Sequence, residues 1–177
     1  AELLKNVNNK YHNAVVGLST DGNSMYVLNS YEGKKDLEKG CAVSILKGTT
    51  WGTPSPIAVP TLDIEGSSYG FHVSDDGNVM IISYQGPGTL GEEDFYVSLK
   101  SGETWSAPVH MGSVINTVGF EISPYLSTTM DTLFFASNGL GGEGECDIFY
   151  SIRQNNSWTD WSTPINLGPK INSPKFD

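Results

Sequence analysis

Apolar residues in this chain gather in short runs separated by turn signals, and no stretch carries a 3.6-residue apolar period. Met25-Tyr26-Val27-Leu28, Met80-Ile81-Ile82-Ser83 and Leu133-Phe134-Phe135-Ala136 each predict a β-strand. Asp21-Gly22-Asn23 and Asp76-Gly77-Asn78 precede the first two, and their glycines supply the positive φ that tight hairpins need. The third run follows Thr129-Met130-Asp131, which lacks glycine and is expected to make a different turn at the same place. Val15 to Ser19 and Phe71 to Ser74 predict strands ahead of the first two turns. Cys41 to Leu46, Phe95 to Leu99 and Ile148 to Ile152 predict strands after a Gly-rich loop. A fourth strand lies near each W-x-x-P, where proline suits an edge because it cannot donate to a ladder. Only Asp36-Leu37-Glu38-Lys39 reads as a single helical turn, inside a loop.

These runs recur with one period. Trp51-Gly52-Thr53-Pro54, Trp105-Ser106-Ala107-Pro108 and Trp161-Ser162-Thr163-Pro164 stand 54 and then 56 residues apart. Val7-Asn8, Leu62-Asp63, Ile115-Asn116 and Ile171-Asn172 keep the same register, as do Ser19, Ser74 and Ser127, and Met25, Met80 and Leu133. Ser44, Ser98 and Ser151 form a fifth set. An all-β chain with four short antiparallel strands per repeat matches a β-propeller, one blade per repeat. The expected blades cover about 7–61, 62–114 and 115–170 of a single 1–177 segment, with 1–6 and 171–177 belonging to neighbouring blades. Trp51, Trp105 and Trp161 are the expected fillers between blades. Three copies do not close a ring of four to eight. Three arrangements meet this: a piece of a longer propeller, a half-ring that dimerises into six blades, and a chain completed by another fragment.

Composition narrows the partners. Ten basic against twenty acidic residues give a net charge of −10, and Arg153 is the only arginine. Binding to a phosphate backbone needs clustered Lys and Arg, so nucleic acid and anionic membrane surfaces are excluded as expected partners. A basic or mixed-charge protein is the expected one. No run of 18 apolar residues predicts insertion into a bilayer. The chain opens at Ala1 without a methionine or a signal core, which leads us to expect processing or a longer parent. Cys41 and Cys146 are expected as unpaired, small buried residues.

The third repeat resembles the WD-like repeats of TolB-type β-propellers. The resemblance rests on Ser137-Asn138, the Gly139 to Gly144 loop, Asp147-Ile148-Phe149-Tyr150, Trp161 to Pro164, Asn166-Leu167-Gly168 and Ile171-Asn172-Ser173. Glu121-Ile122-Ser123-Pro124 looks like the start of that family's innermost strand. The second repeat keeps Asp94-Phe95-Tyr96, whereas the first has Gly40 where the others have Asp94 and Asp147. The resemblance implies a non-catalytic scaffold, exported to a bacterial periplasm or outer membrane, with envelope or secretion proteins as partners. It implies no cofactor.

Several groups are candidates for chemistry. Asp21, Asn23, Asp76 and Asn78 resemble the start of a calcium loop, but no further spaced carboxylates follow, so a hairpin turn is the expected reading. The Gly86–Asp94 and Gly139–Asp147 loops lack the Lys-Ser/Thr and the helix of a phosphate cradle. Asp94 and Asp147 are expected to accept backbone N–H bonds that tie loop to strand. His12, His72 and His110 lack zinc spacing, and no Gly-x-Ser-x-Gly is present. Glu121 and the aligned Asp177 form the best candidate pair for glycoside hydrolysis, with Asn13 and Ser68 at that position elsewhere. Tyr84 and Trp158 are the candidate sugar-stacking aromatics of that alternative, a glycan-binding or glycan-cleaving propeller. For a scaffold, Asp36–Lys39, Gly86–Glu93 and Gly139–Glu145 are the loops that would offer contacts.

Overall fold

A computed structural model describes residues 4, 6–8, 14–29 and 39–177, so His12, Asn13 and the helical turn expected at 36–39, Lys39 excepted, lie outside the described residues. The described residues form three antiparallel sheets and no helix. In the first, β1 (Val15–Leu18), β2 (Ser24–Leu28) and β3 (Cys41–Lys47) run as a meander, and β3 also pairs with β4 (Thr50–Trp51) and β5 (Ser55–Pro56). The second repeats this with β6 (Tyr69–Val73), β7 (Val79–Tyr84), β8 (Asp94–Ser101), β9 (Thr104–Trp105) and β10 (Val109–His110). The third contains β11 (Glu121–Leu126), β12 (Thr132–Ser137), β13 (Asp147–Ile152) and β14 (Ile165–Asn166). Register between the second and third strands is the same in all three, whereas β1 and β11 each carry an irregularity against the second strand that β6 lacks. Met25 faces Ser44, Met80 faces Ser98, and Leu133 faces Ser151.

The fourth strand is split by the W-x-x-P, a feature the expected four-strand pattern did not contain. Leu46 pairs Trp51 and Lys100 pairs Trp105, while an isolated bridge joins Arg153 and Trp161. Pairing then lapses across the proline, which has no N–H, and resumes at β5, β10 and β14. The buried serine landmarks stitch the gap. The hydroxyls of Ser44, Ser98 and Ser151 donate to the carbonyls of Gly52, Ser106 and Ser162 at 2.7, 2.7 and 2.6 Å.

The hairpin before each second strand is also one device used three times. The backbone N–H groups of Gly22, Gly77 and Met130 donate to the carbonyls of Ser19, Ser74 and Ser127 at 2.8, 2.8 and 2.7 Å. The expectation of a different third turn is therefore corrected: Met130 adopts φ +57°, beside +69° and +73° for the glycines. Asp131, two residues later than its counterparts, makes this tolerable by accepting hydroxyl bonds from Ser127, Thr129 and Thr132 at 3.0, 2.8 and 2.8 Å.

Strand alternation divides the apolar side chains between two cores. On the second sheet, Met80, Ile82 and Tyr96 face back to Tyr26 and Cys41 of the first, whereas Ile81, Phe95 and Val97 face forward to Leu133, Phe135 and Phe149 of the third. Trp105 belongs to the backward core and Trp161 does likewise one sheet on. Trp51 packs with Val7, Met25, Val27 and Ala42 on the backward face of the first sheet. Trp105 and Trp161 thus each face the preceding sheet, and Trp51 lies on the equivalent face of the first. Among the first strands, β6 packs against both β1 and β11. Both cysteines are buried and unpaired, and burial pushes the Cys41 thiol up to about 12.

Candidate functional site

The Gly-rich loops end on two fully buried aspartates. Asp147 accepts from the backbone N–H groups of Glu143 and Gly144 at 2.5 and 3.1 Å, and from the Asn166 side-chain amide at 2.7 Å. Asp94 accepts from Leu90 N–H at 2.7 Å and lies 2.7 Å from His110 Nε2. His110 and Asn166 hold the same place on β10 and β14, and each accepts a backbone N–H two residues on, from Gly112 at 3.1 Å and Gly168 at 2.7 Å. The Gly112 bond makes Nδ1 an acceptor, so the hydrogen sits on Nε2 and points at Asp94. Asn116 and Asn172 complete the arrangement by grasping a third strand. Each side-chain amide accepts from and donates to one residue, Phe95 (2.8 and 3.0 Å) and Ile148 (2.9 and 3.0 Å). At Gly40, the first sheet has no carboxylate to play this part.

Glu121 and Asp177 are equivalent, as their alignment implied, but each closes its own loop. Glu121 accepts from Thr117 N–H at 2.9 Å and from the Thr117 and Ser137 hydroxyls at 2.7 and 2.8 Å. Asp177 accepts from Ser173 N–H at 2.6 Å and its hydroxyl at 2.9 Å. Glu121 is fully buried, and desolvation raises its pKa against the pull of those hydrogen bonds, with the Asp94 charge adding to the rise. A glycosidase needs carboxylates that a sugar can reach from two sides. Glu121 is walled off from one.

The turn carboxylates are engaged locally too. Asp21 accepts from Ser19 Oγ at 2.5 Å and from Asn23 backbone and amide N–H at 3.0 and 2.9 Å, which hold its pKa down to about 2. Asp76 does the same with Ser74 and Asn78 at 2.6, 3.1 and 3.0 Å. Asn23 and Asn78 therefore act as donors to the turn. Among the described residues, no group of three His, Cys, Asp or Glu side chains converges as a metal site. His72 is buried against the Tyr125 ring, 5.2 Å between centroids, and burial lowers its pKa.

The aromatics proposed for sugar stacking are occupied. Tyr84 is a correction: it closes the backward face of β7, buried with its ring centroid 4.5 Å from that of Tyr96. Trp158 is half-buried, with the Arg153 guanidinium 4.2 Å over its ring and its carbonyl accepting from Trp161 Nε1 at 2.8 Å. A cleft of about 540 Å³ between the first two sheets is walled by Tyr26, Val43, Ile57 and Trp105, with Lys100 and Glu103 as its charged groups. It holds no carboxylate pair.

The lead-in segments to the third sheet and beyond it are clasped by the preceding loops. Glu92 N–H donates to Gly119 O at 3.0 Å and Glu121 N–H to Glu93 O at 2.7 Å. One repeat later, Glu145 N–H donates to Lys175 O at 3.2 Å and Asp177 N–H to Cys146 O at 3.1 Å. Gly91 and Gly144 permit this approach, since a Cβ at either would strike the backbone of Val118 or Ser173. In the sequence Asn116 and Asn172 stand only as landmarks, and His110 is read only for zinc spacing, not as a partner of Asp94. Their shared offsets from Trp105 and Trp161 were the available signal. No protein-family model matches the chain, and a comparison with curated proteins finds no match either.

Proposed function

We propose that the three sheets are consecutive blades of a β-propeller and that the chain is a non-catalytic scaffold for protein–protein interaction in a bacterial envelope assembly. The observation that carries this reading is the repeated junction. Two cores built from equivalent positions, each with a tryptophan facing the preceding sheet, fix the sheets against one another. The carboxylates and aromatics that catalysis or sugar binding would use are bound up in the same framework. Rigid presentation of loops is what such a frame does well. The envelope setting follows from the TolB-type resemblance, and the net charge of −10 favours a basic or mixed-charge partner.

Immobilised protein exposed in parallel to a glycan array and to bacterial envelope extract tests the reading. Saturable retention of an envelope protein, lost when the sheets are loosened by Trp105→Ala, is the expected result. Specific retention of a glycan that Glu121→Gln abolishes, or turnover of a glycoside, would contradict it.

A further inference from the structure

The lead-in to the third sheet displays apolar side chains that the repeat does not require. Val118 is 83% exposed and Leu90, on the loop clasped to it, is 49% exposed. Counting from the Ile-Asn landmark, the sequence has Lys10, Glu65 and Pro174 in place of Val118. Counting from the buried aspartates, Glu143 stands in place of Leu90. The framework accepts a carboxylate at either position, so neither side chain serves the fold.

The backbone beneath them is fixed. Besides the two clasping bonds, Phe120 N–H donates to Asn138 Oδ1 at 2.8 Å, and Thr117 is held by Glu121. A Cβ on Gly119 would collide with the Asn138 side chain, and one on Gly139 with that of Thr117, so three segments meet without slack. Phe120 extends the apolar line and stacks on Phe176, with centroids 5.8 Å apart at 30°. Phe176 is 57% exposed. Glu92, Glu93, Glu143 and Glu145 lie on the loops alongside, and Lys175 is the one cation in segments 86–93, 117–121, 138–146 and 173–177. Among the described residues no Lys or Arg pairs with these glutamates.

We propose that the ridge of Leu90, Val118 and Phe120 with its flanking glutamates is a docking surface for a basic polypeptide segment carrying apolar side chains. The proposal deepens the scaffold reading and rests on it. A prefixed apolar ridge loses little freedom on binding, and unpaired glutamates select a partner of opposite charge.

Fluorescent peptides of alternating lysine and leucine, of glutamate and leucine, and of lysine and serine provide the probes. Each is titrated with the whole chain by anisotropy, while the methyl resonances of Leu90 and Val118 are followed. The lysine–leucine peptide is expected to bind saturably and shift both methyls, with the other two at least tenfold weaker. Leu90→Glu with Val118→Glu copies residues the other repeats carry, so the melting midpoint is expected to hold, while affinity falls at least tenfold. That variant adds two negative charges, so association by charge alone would tighten instead. If its midpoint drops, Val118→Ser is compared in its place. Unchanged or tighter binding by the variant, equal binding of the glutamate–leucine peptide, or unmoved methyls would overturn the proposal. Overturning with envelope capture retained removes this surface only, and loss of both removes the scaffold reading as well.

Discussion

Gly22 and Gly77 occupy the same turn with nearly the same φ, yet they sit in different surroundings. Nothing lies within 4 Å of a Cβ built on Gly22, whereas one on Gly77 meets Tyr26 Oη at 2.8 Å. Gly22→Ala should therefore lose only the left-handed backbone cost, about 1 kcal/mol. Gly77→Ala should lose roughly twice that, and equal losses in denaturant unfolding would show that the Tyr26 contact is not tight. Glu121 gives a pH test. Its folded pKa is raised, so the native state binds a proton that the unfolded chain releases. Stability is expected to fall as pH climbs from about 4.5 through the raised value, and Glu121→Gln should flatten that slope. A wild-type midpoint that rises over this range in step with the variant's would contradict the assignment. These single-residue roles were only partly legible in the sequence. Asp-Gly-Asn announced its turn through dipeptide chemistry, but Met130 at positive φ could not be foreseen, because its tolerance comes from Asp131 bonding three hydroxyls.

Among the elements, the fourth strand shows how a periodic sequence can be read correctly in place and incompletely in form. Strands β2, β7 and β12 followed from apolar runs behind turns, and the structure extends them by only a residue or two. The W-x-x-P marked a strand, but its division into two pairing segments depends on which carbonyls lie opposite. The serines of β3, β8 and β13 bridge that division. Ser98→Ala removes the donor to Ser106 O, and a loss of about 1–2 kcal/mol is expected in chemical unfolding. The same change at exposed Ser101 should be within about 0.5 kcal/mol of wild type. Asn116 and Asn172 were visible as landmarks for the same reason, while their grip on Phe95 and Ile148 needed the fold to bring residues 21 and 24 apart together.

At the scale of the whole molecule, one junction is used twice. Trp105 lies buried between sheets, so Trp105→Ala should cost about 3–5 kcal/mol. Trp51, half-buried on the backward face of the first sheet, should cost less than half as much, and thermal melts of the two variants compare them directly. The glycosidase alternative was credible in sequence because Glu121 and Asp177 align. Alignment does not reveal that Glu121 is buried and bonded to Thr117 and Ser137. The apolar ridge at Leu90 and Val118 is illegible in the periodic pattern for the opposite reason: it departs from the repeat instead of following it. The central claim, that the sheets are blades about a common axis, is tested most directly by an experimental crystal structure of the chain. The proposed propeller predicts that one rotation, about 45–90° for a ring of four to eight blades, carries the first sheet onto the second and the second onto the third about the same axis beside β1, β6 and β11. Two unrelated axes would contradict it.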